Sequence, residues 1–451
     1  MIETLHTIAA FVVAIALLIA VHEFGHFIVA RKLGIKVEKF SVGFGPALFS
    51  WRSRDQEVLY VIAAIPLGGY VKMLGENPDE QDEEAQQELS EEDKARAFDV
   101  QPPWKRACVA VAGPGFNFLF AIAAYMLVGW VGQSVLPPVV GHVAPASIAE
   151  QAGFVSGDKI ITLNSDPVHS WQQMEEQLKG TVGKPLEVQV ERGNGIGTLH
   201  LTVPVPQKDP LLTDVASEMG IDPGMQVLVA EVMADAPAGK SGLKPGDEIL
   251  QVQDEAVASI GGFIRQVREY AGQPITLNVR RGKEVLNLAI TPESDEKGRG
   301  RIGARMMAKP LFPLIVYRMG PIEGLKHGFI RTWEVTALTF QVLGKMLTSA
   351  ISPKNLGGPI AIAQIAGKTA ELGIMAFISF LALISVNLAV LNLLPVPVLD
   401  GGHLLYLSIE KVRGTPLSPK VMERTQMVGI VLIGALMIFA FYNDIARWLG
   451  G

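Results

Sequence analysis

Four apolar runs set the first constraint on this chain. A helix that crosses a bilayer needs about 20 mostly apolar residues. Ile8–Ala30 supplies them, interrupted only by His22, Glu23 and His26. Ala107–Trp130 and Ile374–Leu399 carry no charge, and Met427–Tyr442 is short but extends into its flanks. The first run does not read as a signal peptide: no Lys or Arg precedes it, and three polar residues lie near its end. Charged residues are 19% of the chain and mean hydropathy is +0.30, against about 25% charged for an average soluble protein. A disordered or wholly soluble chain is excluded. With a net charge of −6 there is no basic field for nucleic acid. The single cysteine, Cys108, leaves no intramolecular disulfide framework and no multi-cysteine zinc ribbon.

Lys and Arg near the span ends set the orientation. Arg31, Lys32, Lys36 and Lys39 follow span 1, Lys105 and Arg106 precede span 2, and Lys411, Arg413, Lys420 and Arg424 follow span 3. After span 2 there is no Lys or Arg until Lys159. Both termini and the 131–373 region are therefore expected outside, and the 31–106 and 401–426 loops inside. Within the first loop, Glu76–Asp93 holds ten acidic residues and reads as a solvated tract.

The outside region contains a repeat. AGFVSGDKIITLN (152–164) matches SGLKPGDEILQVQ (241–253), and GKPLEVQVERG (183–193) matches GQPITLNVRRG (272–282), both at an offset of 89 residues. APAS (144–147) and APAG (236–239) are three residues out of step, which suggests an insertion between them. Each unit reads as a turn, a buried strand, a short helix around Trp171 or Phe263, and two strands joined at Arg-Gly. The units resemble circularly permuted bacterial PDZ domains, which bind chain ends or extended segments by strand addition. Met219-Gly220-Ile221 is a candidate carboxylate-binding loop ahead of unit two, and unit one has no clear counterpart. Two folded spacers, or a lid, is the competing reading. Downstream, the amphipathic stretch Gly324–Lys345 suits either the outer membrane surface or packing for these units.

His22-Glu23-Phe24-Gly25-His26 is an HExxH motif. On a helix, His22 and His26 lie one turn apart on one face, so both can reach one zinc ion. Glu23, about 100° round the helix, is placed to take a proton from a zinc-activated water without being a ligand. An acidic residue within a span costs about 2.5–3.5 kcal/mol, which makes this cluster a functional site by default. A catalytic zinc wants a third protein ligand. The histidines sit near the inner end of span 1, and the inner end of span 3 is Leu391–Asp400, which brings Asp400 to the same depth. Pro395 and Pro397 should break that helix. A carboxylate at its C-terminus would oppose the helix dipole and so call for a cation. His403 is the rival ligand, and a plain Asp-Gly-Gly turn is the bland alternative.

HEFGH, Gly43-Phe44-Gly45, PLGGYVKM (66–73), AGPGFNF (112–118), NLGGPI (355–360) and NLLPVPVLDGGH (392–403) occur in that order. In this the chain resembles the site-2 protease family of intramembrane zinc metalloproteases. The resemblance implies one zinc ion per chain, His22, His26 and Asp400 as its ligands, and Glu23 as the base. It implies that Asn392, Pro395 and Pro397 hold substrate near the zinc, and that Gly43-Phe44-Gly45 and Gly69-Tyr70-Val71 form membrane-dipping segments beside it. It further implies a bacterial inner membrane protein of regulated intramembrane proteolysis in an envelope stress response. Its partners would be the bilayer and single-span substrates such as a pre-trimmed anti-sigma factor and remnant signal peptides. Peptides or substrate ectodomains would meet the PDZ-like units.

The expected fold is a polytopic α-helical membrane protein of four transmembrane spans, with two tandem PDZ-like α+β domains between spans 2 and 3. Its parts are span 1 (1–30), an inner loop with a membrane-associated β segment and the acidic tract (31–106), span 2 (107–130), PDZ-like units at 131–221 and 222–310, an amphipathic outer segment (311–373), span 3 (374–400), an inner loop (401–426) and span 4 (427–445). Three other functions compete. A PDZ-bearing scaffold leaves the polar residues of span 1 unexplained. A gluzincin-like site would need Glu38 or Glu57 on a helix, against Gly43, Gly45 and Pro46 between them. A zinc transporter would need polar residues in several spans.

Overall fold

The computed structural model describes residues 2–76, 90–193, 195–206, 214–257, 259–295, 298–348 and 357–449. Most of the acidic tract, 77–89, lies outside the described residues. The chain forms two compact units, Met1–Gln133 with Arg318–Gly451, and Ser134–Tyr317. Among the described residues four helices are long and apolar enough to cross a membrane: Thr4–Lys32, Pro103–Val131, Ile374–Asn392 and Lys420–Arg447.

The first unit opens with helix α1 (Ile2–Lys32), strands β1 (Val37–Arg52) and β2 (Leu59–Met73), a short α2 (Glu91–Ala95) and α3 (Pro103–Val131). The two strands are long and bent, and pair in limbs. Val37–Phe44 runs against Ile65–Met73, and Ala47–Arg52 against Leu59–Ala63. Lys39–Val42 also has Leu59–Ile62 as partners on its other side. The limb Ile65–Met73 is therefore an outer one, with a strand partner on one side only among the described residues. Phe27, Ala30, Val37, Val71 and Met73 bury the base of this sheet against α1.

The second unit contains two β-modules. The first comprises β3 (Gln133–Val135), β4 (His142–Val143), α4 (Ile148–Ala152), β5 (Lys159–Leu163), β6 (Asp166–Pro167), α5 (Trp171–Gly180), β7 (Pro185–Arg192), β8 (Gly195–Thr202), α6 (Val215–Met219) and β9 (Ile221–Asp222). Its sheet order is β6-β5-β7-β8, with β4 paired to β9. The second comprises β10 (Met225–Val232), α7 (Pro237–Lys240), β11 (Glu248–Val252), β12 (Glu255–Ala256), α8 (Ile260–Glu269), β13 (Ile275–Arg281), β14 (Glu284–Ile290), β15 (Glu293–Ser294), β16 (Gly300–Arg301) and β17 (Ala304–Pro310), in the order β14-β13-β11-β10-β17. A strand β18 (Ile315–Tyr317) follows.

The repeat recurs in the anchoring of each module's buried aspartate. Arg192 forks onto Asp158 at 2.6 and 2.7 Å and onto the Gly153 carbonyl, and Arg281 does the same to Asp247 and Gly242. These charge-assisted forks hold two fully buried carboxylates in place. The Val140 amide donates to Asp158 O and the Val229 amide to Asp247 O. The helix N-caps, Ser147 and Ala236, also stand 89 apart, so no insertion separates the units there. The shared APA letters were a false alignment. A second expectation also falls: Met219 and Ile221 are buried in the core of the first module, with β9 on β4, so this segment closes unit one rather than preceding unit two.

The first unit resumes with α9 (Pro321–Leu347), α10 (Pro359–Glu371), α11 (Ile374–Asn392), α12 (Asp400–Arg413) and α13 (Pro419–Leu449). α9, expected on the membrane surface or against the β-modules, runs along α3 and α11. A Cβ on Gly324 would fall 2.4 Å from the Trp130 ring, and one on Gly328 would fall 2.6 Å from the Ile122 carbonyl. Small residues four apart let helices approach this closely. Val335 joins Ala121, Tyr125 and Val386 in one core, and Thr339 Oγ1 donates to Asn387 Oδ1 at 2.8 Å. At the other end of the unit, the Asp444 carboxylate of α13 accepts from the Gly358, Ile360 and Ala361 amides, capping α10 from outside its own helix. The stretch expected as an inner loop after span 3 is mostly helix: α12 and the first turns of α13.

Candidate metal centre

α1 carries His22 and His26 on one face, their rings edge to face with centroids 4.8 Å apart and their Nε2 atoms 3.2 Å apart. Asp400 brings its carboxylate to both: Oδ2 lies 3.2 Å from His22 Nε2 and Oδ1 lies 3.5 Å from His26 Nε2. One ligand atom from each residue lies within 4.8 Å of the others. The His26 Nδ1–H donates to Val109 O at 2.8 Å, which leaves the Nε2 lone pair turned toward Asp400. Asp400 Oδ2 is buried and accepts no hydrogen bond. Lone pairs facing one another across a buried space, one of them an unmet carboxylate oxygen, are the donor set a divalent cation would satisfy.

The delivery of Asp400 differs from the sequence expectation. α11 stops at Asn392, seven residues of non-helical chain follow, and Asp400 is the first residue of α12. The carboxylate thus stands at a helix N-terminus, where the dipole favours it. The dipole gives no reason for a cation here, and that reason rests on the orphaned oxygen instead. The connecting turn is strained: Val398 has φ +90°, a region a β-branched residue rarely enters, at a cost of about 1–3 kcal/mol. The turn is held from three sides. A Cβ on Gly401 would fall 2.1 Å from Leu394 O, one on Gly402 would fall 2.5 Å from Val396 O, and one on Gly429 of α13 would fall 2.2 Å from Pro397 O. The Asp-Gly-Gly sequence therefore lets a new helix tuck beneath the turn that Pro395 and Pro397 begin. His403, one turn further on, faces Tyr406 at 6.3 Å and stands outside the cluster.

Glycines also bring α3 onto the histidines. A Cβ on Gly25 would fall 2.4 Å from Ala112 O, and one on Gly113 would fall 2.3 Å from His26 Nε2. One turn on, the buried Asn117 amide lies 3.2 Å from His22 Nδ1, and Asn392 Nδ2 lies 3.3 Å from His22 Nε2. Glu23 points the other way, toward the sheet: its Cγ lies 3.1 Å from where a Cβ on Gly69 would stand. Gly69, Tyr70 and Val71 pair with Val42, Ser41 and Phe40. Gly43 and Gly45 bend β1 with φ +96° and +85°, and Phe44 between them stacks on Tyr70 and covers Gly68.

The profile of peptidase family M50 matches residues 10–436. The chain belongs to that family. It is 40% identical over 460 residues to protease RseP of Yersinia pestis, spanning 99% of this chain and 100% of that one. It is 38% identical over 464 residues to the regulator of sigma-E protease RseP of Escherichia coli, at 99% and 100% coverage. It is 39% identical over 459 residues to a putative zinc metalloprotease of Ralstonia nicotianae, at 98% of each. Around this cluster, the sequence alone does not single out Gly25, Gly113, Asn117 or Val398. AGPGFNF was visible as a motif, but nothing in one sequence says which helix its glycine faces.

Proposed function

We propose that the chain is an integral inner-membrane zinc endopeptidase that cleaves single-span membrane proteins. His22, His26 and Asp400 hold the ion, and Glu23 is the general base. The observation that carries this reading is the convergence of two imidazoles, held within the apolar helix α1, and one orphaned carboxylate oxygen at the start of α12. Zinc, when bound, supplies the Lewis acidity that makes water a nucleophile near neutral pH. Glu23 takes the proton of the attacking water on a carboxylate oxygen and returns it to the leaving amine. The Asn392 amide donates toward the oxygen that gains charge, and the non-helical Leu393–Leu399 segment, with Pro395 and Pro397, walls the cleft on the far side.

A substrate helix hides its carbonyls in its own hydrogen bonds and must be opened first. The outer limb Ile65–Met73 offers unpaired backbone groups beside Glu23, with Gly69 allowing close approach and Gly43-Phe44-Gly45 fixing the bend. Basic flanks place the site near the cytoplasmic face and the termini and β-modules outside. The modules act as tandem PDZ-like domains that admit substrates already trimmed outside, such as a pre-trimmed anti-sigma factor. Measuring zinc content and cleavage of a single-span test substrate decides the matter. Glu23→Gln should keep its zinc and lose proteolysis, and wild-type turnover in that variant would overturn the proposal.

A further inference from the structure

Both nitrogens of His22 face a side-chain amide: Asn117 Nδ2 at Nδ1, 3.2 Å away, and Asn392 Nδ2 at Nε2, 3.3 Å away. A neutral imidazole accepts at one nitrogen and donates at the other, so it cannot accept from both amides. One amide must present its oxygen. Asn117 is fully buried, and its Oδ1 has no hydrogen-bond partner. A half-turn about χ2 exchanges the two ends of that amide without changing its shape. It sets Oδ1 against His22 Nδ1–H and moves Nδ2 to the place where Oδ1 has no partner, so the choice rests on His22, whose Nε2 must stay free to face Asp400. His22 then carries its proton on Nδ1 and turns the Nε2 lone pair toward Asp400, as His26 does by donating to Val109 O at 2.8 Å.

We infer that Asn117 is a positioning residue for metal binding: its side-chain oxygen accepts from His22 Nδ1–H and fixes the ring in the tautomer and orientation that ligate zinc. This rests on the reading of His22, His26 and Asp400 as the zinc ligands. The neighbourhood is built to hold the amide still. Asn117 O accepts from Ser385 Oγ of α11 at 2.9 Å, so two helices fix the backbone that carries it. Gly113, one turn back, lets that helix come close enough for the amide to reach the ring. Partners of this kind orient a ligand and raise its basicity, and losing one typically costs about 10–100-fold in metal affinity.

The test is zinc affinity of the purified full-length protein, by competition against a chelator, with the absorption spectrum of the Co2+-substituted protein as a second readout. Asn117→Leu, similar in size without an acceptor, should weaken zinc about 10–100-fold and alter the cobalt bands. Asn117→Asp, which restores an acceptor, should return affinity to the wild-type level or beyond. Should the leucine variant fail to fold, Asn117→Ala removes the acceptor with less bulk. Wild-type affinity in Asn117→Leu or Asn117→Ala overturns the inference. So does equal loss in the aspartate variant, which would make Asn117 a packing residue. A wild type that takes up no zinc overturns the metalloprotease reading itself, and this inference with it.

Discussion

Gly113→Ala tests whether the approach of α3 to the histidines sets the metal geometry. The added Cβ would stand 2.3 Å from His26 Nε2 and 2.7 Å from His22 Cε1, where ordinary contact begins near 3.4 Å. The imidazole must retreat by about 1 Å, against a tolerance of about 0.2 Å in metal–ligand distances. Retreat is hindered, because His26 Nδ1 is tied to Val109 O on the same helix α3. A displacement of about 1 Å costs roughly 100-fold in rate. Meanwhile the helix gains up to about 1 kcal/mol of intrinsic propensity from Gly to Ala. Zinc affinity by chelator competition and cleavage of a single-span substrate should both fall by about two orders of magnitude, while zinc-free protein loses at most a little thermal stability, since overpacking of about 1–3 kcal/mol outweighs the helix gain. Gly115→Ala is the control, since nothing lies within 4 Å of a Cβ there, and it should behave as wild type. If Gly113→Ala holds zinc as tightly as wild type, the close approach is incidental.

Asp400→Ala should lower zinc occupancy and activity together, whereas His403→Ala should leave zinc bound, because His403 stands outside the cluster; metal analysis of both variants reads this, and the reverse pattern would move the ligand to His403. Replacing the β-modules, 139–304, by a short linker should permit cleavage of a substrate that keeps its bulky outside domain. If the shortened protein cleaves trimmed substrate and still refuses the long form, the filter lies elsewhere.

The histidine pair was legible because helical periodicity and the cost of charge in a membrane are local facts. Asp400 was legible by depth alone, from the direction of span 3. Its helical context was not: Leu399 offers no capping side chain, so nothing announced that a helix restarts at Asp400 after the proline segment. Gly113 and Asn117 were hidden for another reason. A residue's neighbour on a different helix depends on how the two helices cross, and one sequence does not contain that angle. The amphipathic character of α9 was read correctly, but periodicity shows that a helix has a face without showing what covers it. The false step of three in the repeat arises because three shared letters mimic an alignment that the constant offset, obeyed by nine identical positions, rules out.

Strand addition at the sheet edge can be tested at one backbone donor. The Leu74 amide donates to Lys36 O, toward the β1 side, and the Met73 amide donates to the Glu76 carboxylate instead. Amide directions alternate along a strand, and the pairs Met73↔Val37, Lys72↔Lys39 and Val71↔Phe40 put the extra residue on β1, not on β2. The Val71 and Gly69 amides therefore point away from β1, to the open edge beside Glu23. Val71→Pro removes an outward donor and spares the existing ladder, whereas Tyr70→Pro removes an inward one and should unsettle the β1–β2 sheet itself. Proline is tolerated at such an outward edge position. With zinc ligands untouched, Val71→Pro should keep wild-type zinc content. It should depress cleavage of a stable substrate helix far more than cleavage of the same substrate with helix-breaking residues near the scissile bond, because the second has fewer helix bonds to replace. Parallel cleavage time courses on the two substrates give the comparison. Equal losses on both, or none on either, would show that the edge is only a membrane-seated hairpin and that the substrate is opened by some other device.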